Sequence, residues 1–97
     1  MYVRVTRGQY RDAASANTEA VNQLTDELFR TMRAMPGNQS YTGGRDSEGK
    51  VIAVSIWDTE EHAHNLQAAL GDIRPKLEAQ GLKIDPPEVF EVTISSL

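Results

Sequence analysis

Two histidines on one predicted helix are the side chains of this sequence best suited to move protons. His62 and His64 stand two positions apart, so their side chains diverge by about 200° on a helix and cannot hold one metal ion together as an i,i+4 pair would. No metal site is therefore expected. His62 alone lies near a helix N-terminus, where the positive end of the dipole favours the uncharged ring, and could act as a base toward a phenol. A solvated histidine, or one that packs against Trp57, is the alternative.

The composition excludes several other chemistries. The chain has no cysteine, so it forms neither a disulfide nor a thiolate nucleophile, and it lacks the G-x-S-x-G pattern that presents a nucleophilic serine. A net charge of -4 is the wrong sign for a protein that binds nucleic acid through phosphates. The longest mostly apolar stretch, 51–57, is far too short to span a bilayer. We therefore expect a cytoplasmic protein that binds neither nucleic acid nor membrane.

The 97 residues suffice for one domain, and their hydrophobic periodicity predicts its elements. We expect strands over residues 1–6, 39–45, 50–57 and 89–95, and helices over residues 13–35 and 58–81. This order places two helices across one face of a four-stranded antiparallel sheet, which is the ferredoxin-like βαββαβ arrangement of an α+β protein.

Local signals set the predicted helix ends. Asp12 or Ser15 could cap the first helix, and Pro36 followed by Gly37 stops it. Asp58 with Glu61 predicts a capping box for the second helix. The dipeptide Gly71-Asp72 suggests a break in that helix, while Gly43-Gly44 in the second strand suggests a bulge or a close approach.

The third strand is apolar on both of its faces. Ile52, Val54 and Ile56 alternate with Val51, Ala53, Ser55 and Trp57. We assign the first set to the helices, together with the last strand's Phe90, Val92 and Ile94, and the Trp57 set to the open face. A second copy of the chain is the economical cover for an apolar open face, so we predict a homodimer. In the alternative, a monomer, Trp57 and Val51 rest on a loop or on the chain ends.

The open face so assigned also carries polar groups. It predicts a ligand pocket, with a potential ion pair between Arg4 and Glu91. The predicted lining residues are Arg4, Thr6, Ser55, Trp57, Glu91 and Thr93.

Two segments resemble a known family. The run Pro36-Gly37-Asn38-Gln39-Ser40 and the run from Val54 through Trp57-Asp58-Thr59 to Ala63 resemble the dimeric α+β barrel proteins of the antibiotic biosynthesis monooxygenase type. The resemblance implies one such domain over 1–97, a homodimer whose two sheets face each other as a barrel, and oxidation of a phenol by oxygen without a metal or flavin. No cofactor is therefore expected.

Some positions of that family carry over and others do not. Trp57 matches the strand-end tryptophan of the quinone-forming oxygenases, where it would form an apolar wall. Arg74 matches their second-helix arginine if a short gap is allowed, and could steady a phenolate. Ala53 and Ala63 stand where those enzymes have an asparagine and a tyrosine. The positions that the haem-degrading branch uses on its second helix fall on Leu66 and Lys76, which disfavours haem degradation.

The sequence thus predicts a cofactor-independent monooxygenase-like protein that acts on or binds a small aromatic or polyketide-like compound. The catalytic candidates are Trp57, His62 and Arg74. The alternative is a non-catalytic small-molecule-binding or dimerisation module of the same fold, and the loss of both polar family positions favours it.

Overall fold

The computed structural model describes residues 1–66 and 70–96. The described residues form five strands, three α-helices and one short 3-10 helix. In chain order these are β1 (Tyr2–Gln9), the 3-10 helix (Ser15–Asn17), α1 (Glu19–Ala34), β2 (Asn38–Arg45), β3 (Lys50–Trp57), α2 (Glu60–His64), α3 (Ile73–Ala79), β4 (Lys83–Ile84) and β5 (Glu88–Glu91). Within this described part of the chain, no helix is long and apolar enough to cross a bilayer.

The strands form one antiparallel sheet in the order β2-β3-β1, with β4 and β5 sharing the other edge of β1. The ferredoxin-like α+β class is confirmed. The predicted last strand is β5, which spans Glu88–Glu91, whereas β4 was not predicted, so the described sheet has five strands rather than four. Pro86 and Pro87 separate β4 from β5, because proline has no N–H to donate to a ladder. β1 continues three residues beyond the predicted end, since β3 pairs with it as far as Gln9.

The helix starts differ from those predicted. α1 begins at Glu19 because Thr18 is extended and its Oγ1 accepts from the backbone N–H of Val21 at 3.2 Å. Asp12 instead lies in the turn before the 3-10 helix, where its Oδ1 accepts from the backbone N–H of Ser15 at 2.8 Å. Likewise Thr59, not Asp58, caps α2 by accepting from His62 N at 3.1 Å.

α2 ends at His64, where Asn65 is its C-cap, which is earlier than the predicted break. Gly71 and Asp72 form a turn directly before α3, where the break was predicted. The predicted apolar stripe of the second helix is largely buried through Ala63, Leu66, Ile73 and Leu77. The prediction also spans residues 67–69, which lie outside the described residues.

The assignment of the two sheet faces was wrong. Trp57 is 0% exposed and packs beneath the helices against Met32, Ala63 and Leu66. Cross-strand register places the same-face residues Arg4, Thr6, Ala53 and Ser55 with it. We call this helix-covered side the inner face.

The outer face is the opposite side of the sheet, formed by Val3, Val5, Ile52, Val54, Ile56 and Phe90. Ile52 is 42% exposed and Phe90 50% exposed. β5 ends at Glu91, and Ile94 beyond it is 92% exposed, so Phe90 and Ile94 do not pack under the helices as predicted. Alternation alone could not choose between two apolar faces, and the helices cover the one that carries the large Trp57 ring.

Candidate functional site

A cavity of about 650 Å³ lies between the inner face and the helices. Its floor consists of small side chains in register across three strands: Thr6 lies opposite Ala53, and Ala53 lies opposite Gly43. The large Trp57 ring packs near one end of the inner face instead. The volume is typical of a small-molecule site, which the small floor residues leave open.

Apolar side chains from the helices form the walls. The hydrophobic core is divided into two clusters, one around Val21, Ile73 and Leu77 and the other around Met32 and Leu66. Members of both clusters line the cavity. The cavity is thus built into the middle of the core, where a planar apolar ligand would find contacts on both sides.

Arg4 brings a cation to the cavity floor. It lies opposite Ser55 in the sheet, and its Nη1 donates to the carbonyl oxygen of Ala63 at 3.0 Å. Burial lowers the pKa of Arg4, and the charge of Arg74 lowers it further. An arginine remains protonated at neutral pH even so, and the cavity therefore holds a permanent positive charge.

Arg74 supplies a second cation from the first turn of α3. Its Nε lies 3.3 Å from Glu78 Oε1, and Glu78 is not among the described residues that line the cavity. The structure therefore places the predicted candidate Arg74 at the cavity, beside Arg4.

Two tyrosines that the sequence did not indicate also line the cavity. Tyr41 lies opposite Ser55 on β2, and its ring meets that of Phe29 edge to face with centroids 6.0 Å apart. Burial raises the pKa of both Tyr41 and Tyr10, so each phenol keeps its proton and can donate a hydrogen bond. The alternation that places Ser55 could have indicated Tyr41 once β2 and β3 were paired.

The predicted lining residues divide into two groups. Arg4, Thr6 and Ser55 line the cavity. Trp57 lies behind them, since it is fully buried and its indole N–H donates to Ser55 Oγ at 2.8 Å.

Glu91 and Thr93 are exposed and lie outside the cavity lining given by the described residues. Glu91 lies opposite Tyr2 rather than Arg4, so the predicted ion pair with Arg4 is replaced by the bond from Arg4 to Ala63.

His62 lies away from the cavity. Its Nδ1 is 2.6 Å from Asp58 Oδ1, and this hydrogen bond holds the pKa of Asp58 below its usual value. A Cβ atom on Gly37 would collide with both side chains, which explains a glycine at this corner. His64 lies 3.7 Å from Glu60, so the two histidines have separate partners.

The two glycines of β2 border the cavity without forming a bulge. Gly43 and Gly44 keep regular register with β3, and the irregularity lies between Asn38 and Ser40 instead. A Cβ on Gly43 would meet only Ile52 O, at 3.7 Å, so this is not a close approach of backbones. The bulge prediction was therefore wrong, and the absent side chain leaves room at the cavity.

Comparison with solved structures identifies the fold. A protein from Deinococcus radiodurans assigned to the antibiotic biosynthesis monooxygenases aligns with a TM-score of 0.77 at 16% identity, covering 98% of this chain and 95% of that one. SnoaB, a cofactor-independent oxygenase from Streptomyces nogalater, aligns with a TM-score of 0.71 at 15% identity, covering 98% of this chain and 95% of SnoaB. The monooxygenase ActVA-Orf6 of Streptomyces coelicolor, whose structure was solved with the ligand nanaomycin D, aligns with a TM-score of 0.70 at 18% identity. The alignment covers 99% of this chain and 88% of ActVA-Orf6.

No protein-family model and no curated protein matches the chain. At these identities the likeness concerns the fold. The chain therefore has the ferredoxin-like fold of the antibiotic biosynthesis monooxygenases.

Proposed function

We propose that the protein is a cofactor-independent monooxygenase-like protein that binds and oxidises a small aromatic or polyketide-like phenol in the cavity under the helices. The observation that carries the proposal is the cavity itself: about 650 Å³, walled by apolar side chains and supplied with the cation of Arg74 and the phenol of Tyr41. A module that only dimerises has no need of such a space, because an unfilled core is destabilising.

The chemistry follows from the charges around the ring. An opposite charge nearby favours the ionised form of an acid, so Arg74 favours the phenolate over the phenol and the proton leaves to solvent. The phenolate is electron-rich and is oxidised by O2 as the co-substrate. When the ring CH opposite the phenolate oxygen becomes the second quinone carbonyl, one oxygen atom of O2 enters the product. The other oxygen atom leaves as water, with the hydrogen of that ring CH and a proton returned from solvent. The apolar walls contact the ring and position it.

The same proposal includes a homodimer formed through the outer face. That face carries six apolar side chains. Its exposed members lie on the two strands that flank β1, with Ile52 of β3 opposite Arg7 and Phe90 of β5 opposite Val3. A second copy offers a self-complementary cover for it. The two sheets would then pack face to face, and the cavity of each chain would stay on the side remote from its partner.

The second candidate function is a binding module without catalysis. It is favoured by Ala53, which lines the cavity without a polar group, and by His62, which is paired with Asp58 away from the cavity. In this alternative, the cavity holds the aromatic compound but does not promote its reaction with oxygen.

Oxygen consumption separates the two. We expect purified protein to raise the rate of O2 uptake above the buffer rate with at least one member of a panel of anthrols and hydroquinones, with formation of the quinone followed by absorbance. Arg74→Gln should lower kcat at least 10-fold, as loss of an electrostatic stabiliser does. Arg11→Gln removes an equal charge from an exposed site away from the cavity and is the matched control. Binding of the panel without any uptake above buffer would contradict the oxygenase and leave the module.

A further inference from the structure

Positive charge is concentrated at the cavity of an acidic protein. The whole chain has a net charge of -4. Among the described residues that line the cavity, however, the charged ones are Arg4, Arg7, Arg45, Arg74 and Asp26. Asp26 is largely exposed and lies 3.7 Å from Arg30 on the next turn of α1, so it does not neutralise the floor.

The four arginines differ in how far their charge is already satisfied. Arg7 forms an ion pair with Glu88, and Arg45 donates to Ala16 O and to Asn22 Oδ1 at 3.2 Å each. Arg74 has Glu78. Arg4 is paired only with a neutral carbonyl in the described part of the chain, although it is half-buried and lies near a second guanidinium.

Two like charges beside an apolar cavity repel each other, and a ligand with two negative groups relieves that repulsion better than one with a single group. In the proposed function, a phenolate beside Arg74 is the first of these two negative groups. The free donors of Arg4 suit a planar, two-oxygen acceptor, because a guanidinium binds a carboxylate through two parallel hydrogen bonds. Ser55 lies opposite Arg4 and Tyr41 opposite Ser55, so further hydroxyl groups are nearby.

We propose that Arg4 is a specificity-determining residue that binds a carboxylate of the ligand, and that the natural ligand is therefore an aromatic acid carrying a phenol and a carboxylate at separate positions. This inference rests on the proposed use of the cavity for an aromatic ligand. It holds whether or not the cavity also promotes reaction with oxygen.

Calorimetric titration with two matched probes tests it. 6-Hydroxy-2-naphthoate and 6-hydroxy-2-naphthamide have the same ring and the same phenol. At the opposite end, the first carries a charged carboxylate and the second a neutral carboxamide of similar shape. We expect the wild-type protein to bind the carboxylate about 10- to 100-fold more tightly than the amide, which is the range for charge-assisted hydrogen bonds. Arg4→Gln should remove this preference by weakening the carboxylate alone, since glutamine has no charge to pair with it.

Two further variants complete the test. Arg4→Lys keeps the charge but cannot form two parallel hydrogen bonds, so it should retain part of the preference for the carboxylate probe. This variant replaces Arg4→Gln in the test if Arg4→Gln does not fold. Arg11→Gln, with the same change in net charge, should leave both affinities unchanged.

Three results would overturn the inference: equal binding of the two probes by the wild type, equal weakening of both by Arg4→Gln, or no binding of either probe. The oxygen-uptake experiment judges the oxygenase independently, because a carboxylate preference does not depend on turnover.

Discussion

At the scale of single residues, Ser55 links the core to the cavity. Its hydroxyl accepts the indole N–H of Trp57 at 2.8 Å, while the residue itself forms part of the cavity floor. Ser55 is 3% exposed and Trp57 is fully buried, so water cannot replace this hydrogen bond. The largest side chain of the inner face is thereby fixed beside the cavity.

Removing that hydroxyl should destabilise the fold. We expect Ser55→Ala to lower the free energy of unfolding by about 1–3 kcal/mol, because it leaves the buried indole N–H without an acceptor. Urea denaturation followed by the fluorescence of the single tryptophan measures this change. Ser47→Ala in the exposed hairpin turn is the control and should stay within about 0.5 kcal/mol of the wild type. Equal effects of the two substitutions would contradict the role assigned to Ser55.

Side-chain partners were the part of the site that sequence could not supply. Strand alternation correctly grouped Arg4, Thr6, Ser55 and Trp57 on one face. It could not show that Trp57 uses its N–H on Ser55, or that His62 pairs with Asp58 outside the cavity. Such pairings depend on packing between elements that are distant in the chain.

At the scale of elements, the sheet has two apolar faces and the helices cover one. Val54 lies near the centre of the outer face, opposite Val5 of β1, and is not among the described residues that line the cavity. A change at Val54 therefore reports on the outer face without altering the inner one.

We expect light scattering to show twice the 10.7 kDa mass of one chain at micromolar concentration. Val54→Asp should shift the protein to the monomer, because the dimer interface would bury an unpaired carboxylate from each copy. Ser47→Asp, in the exposed turn, should remain a dimer. A monomeric wild-type protein would exclude the proposed assembly.

At the level of elements, the strands β1, β2, β3 and β5 and the helix α1 were predictable because each carries its own signal, whereas the short β4 was missed. The turn from Asp46 to Gly49 predicts the hairpin, and Asp46 Oδ1 indeed accepts from the backbone N–H groups of Glu48 and Lys50 at 2.9 Å. The start of α1 was not predictable in the same way, since Asp12, Ser15 and Thr18 are all suitable capping residues and the structure uses Thr18.

Across the whole protein, the two faces of the sheet differ in what covers them. The inner face and the helices line the cavity, whereas Ile52 and Phe90 of the outer face, on which the proposed dimer depends, are exposed. Which face does which was not predictable from hydropathy, because both are apolar. The two faces differ in residue size. The small residues Thr6, Gly43 and Ala53 lie on the inner face, and the space between them and the helices is the cavity.

If an aromatic ligand binds on the inner face, nuclear magnetic resonance of the labelled protein titrated with 6-hydroxy-2-naphthoate will show which residues it contacts. We expect the largest chemical-shift changes at Tyr41, Ala53 and Leu66 around the cavity, with the signals of Val5 and Val54 on the outer face little changed. Shifts concentrated on Val5, Val54 and Phe90, with the cavity residues unchanged, would contradict it.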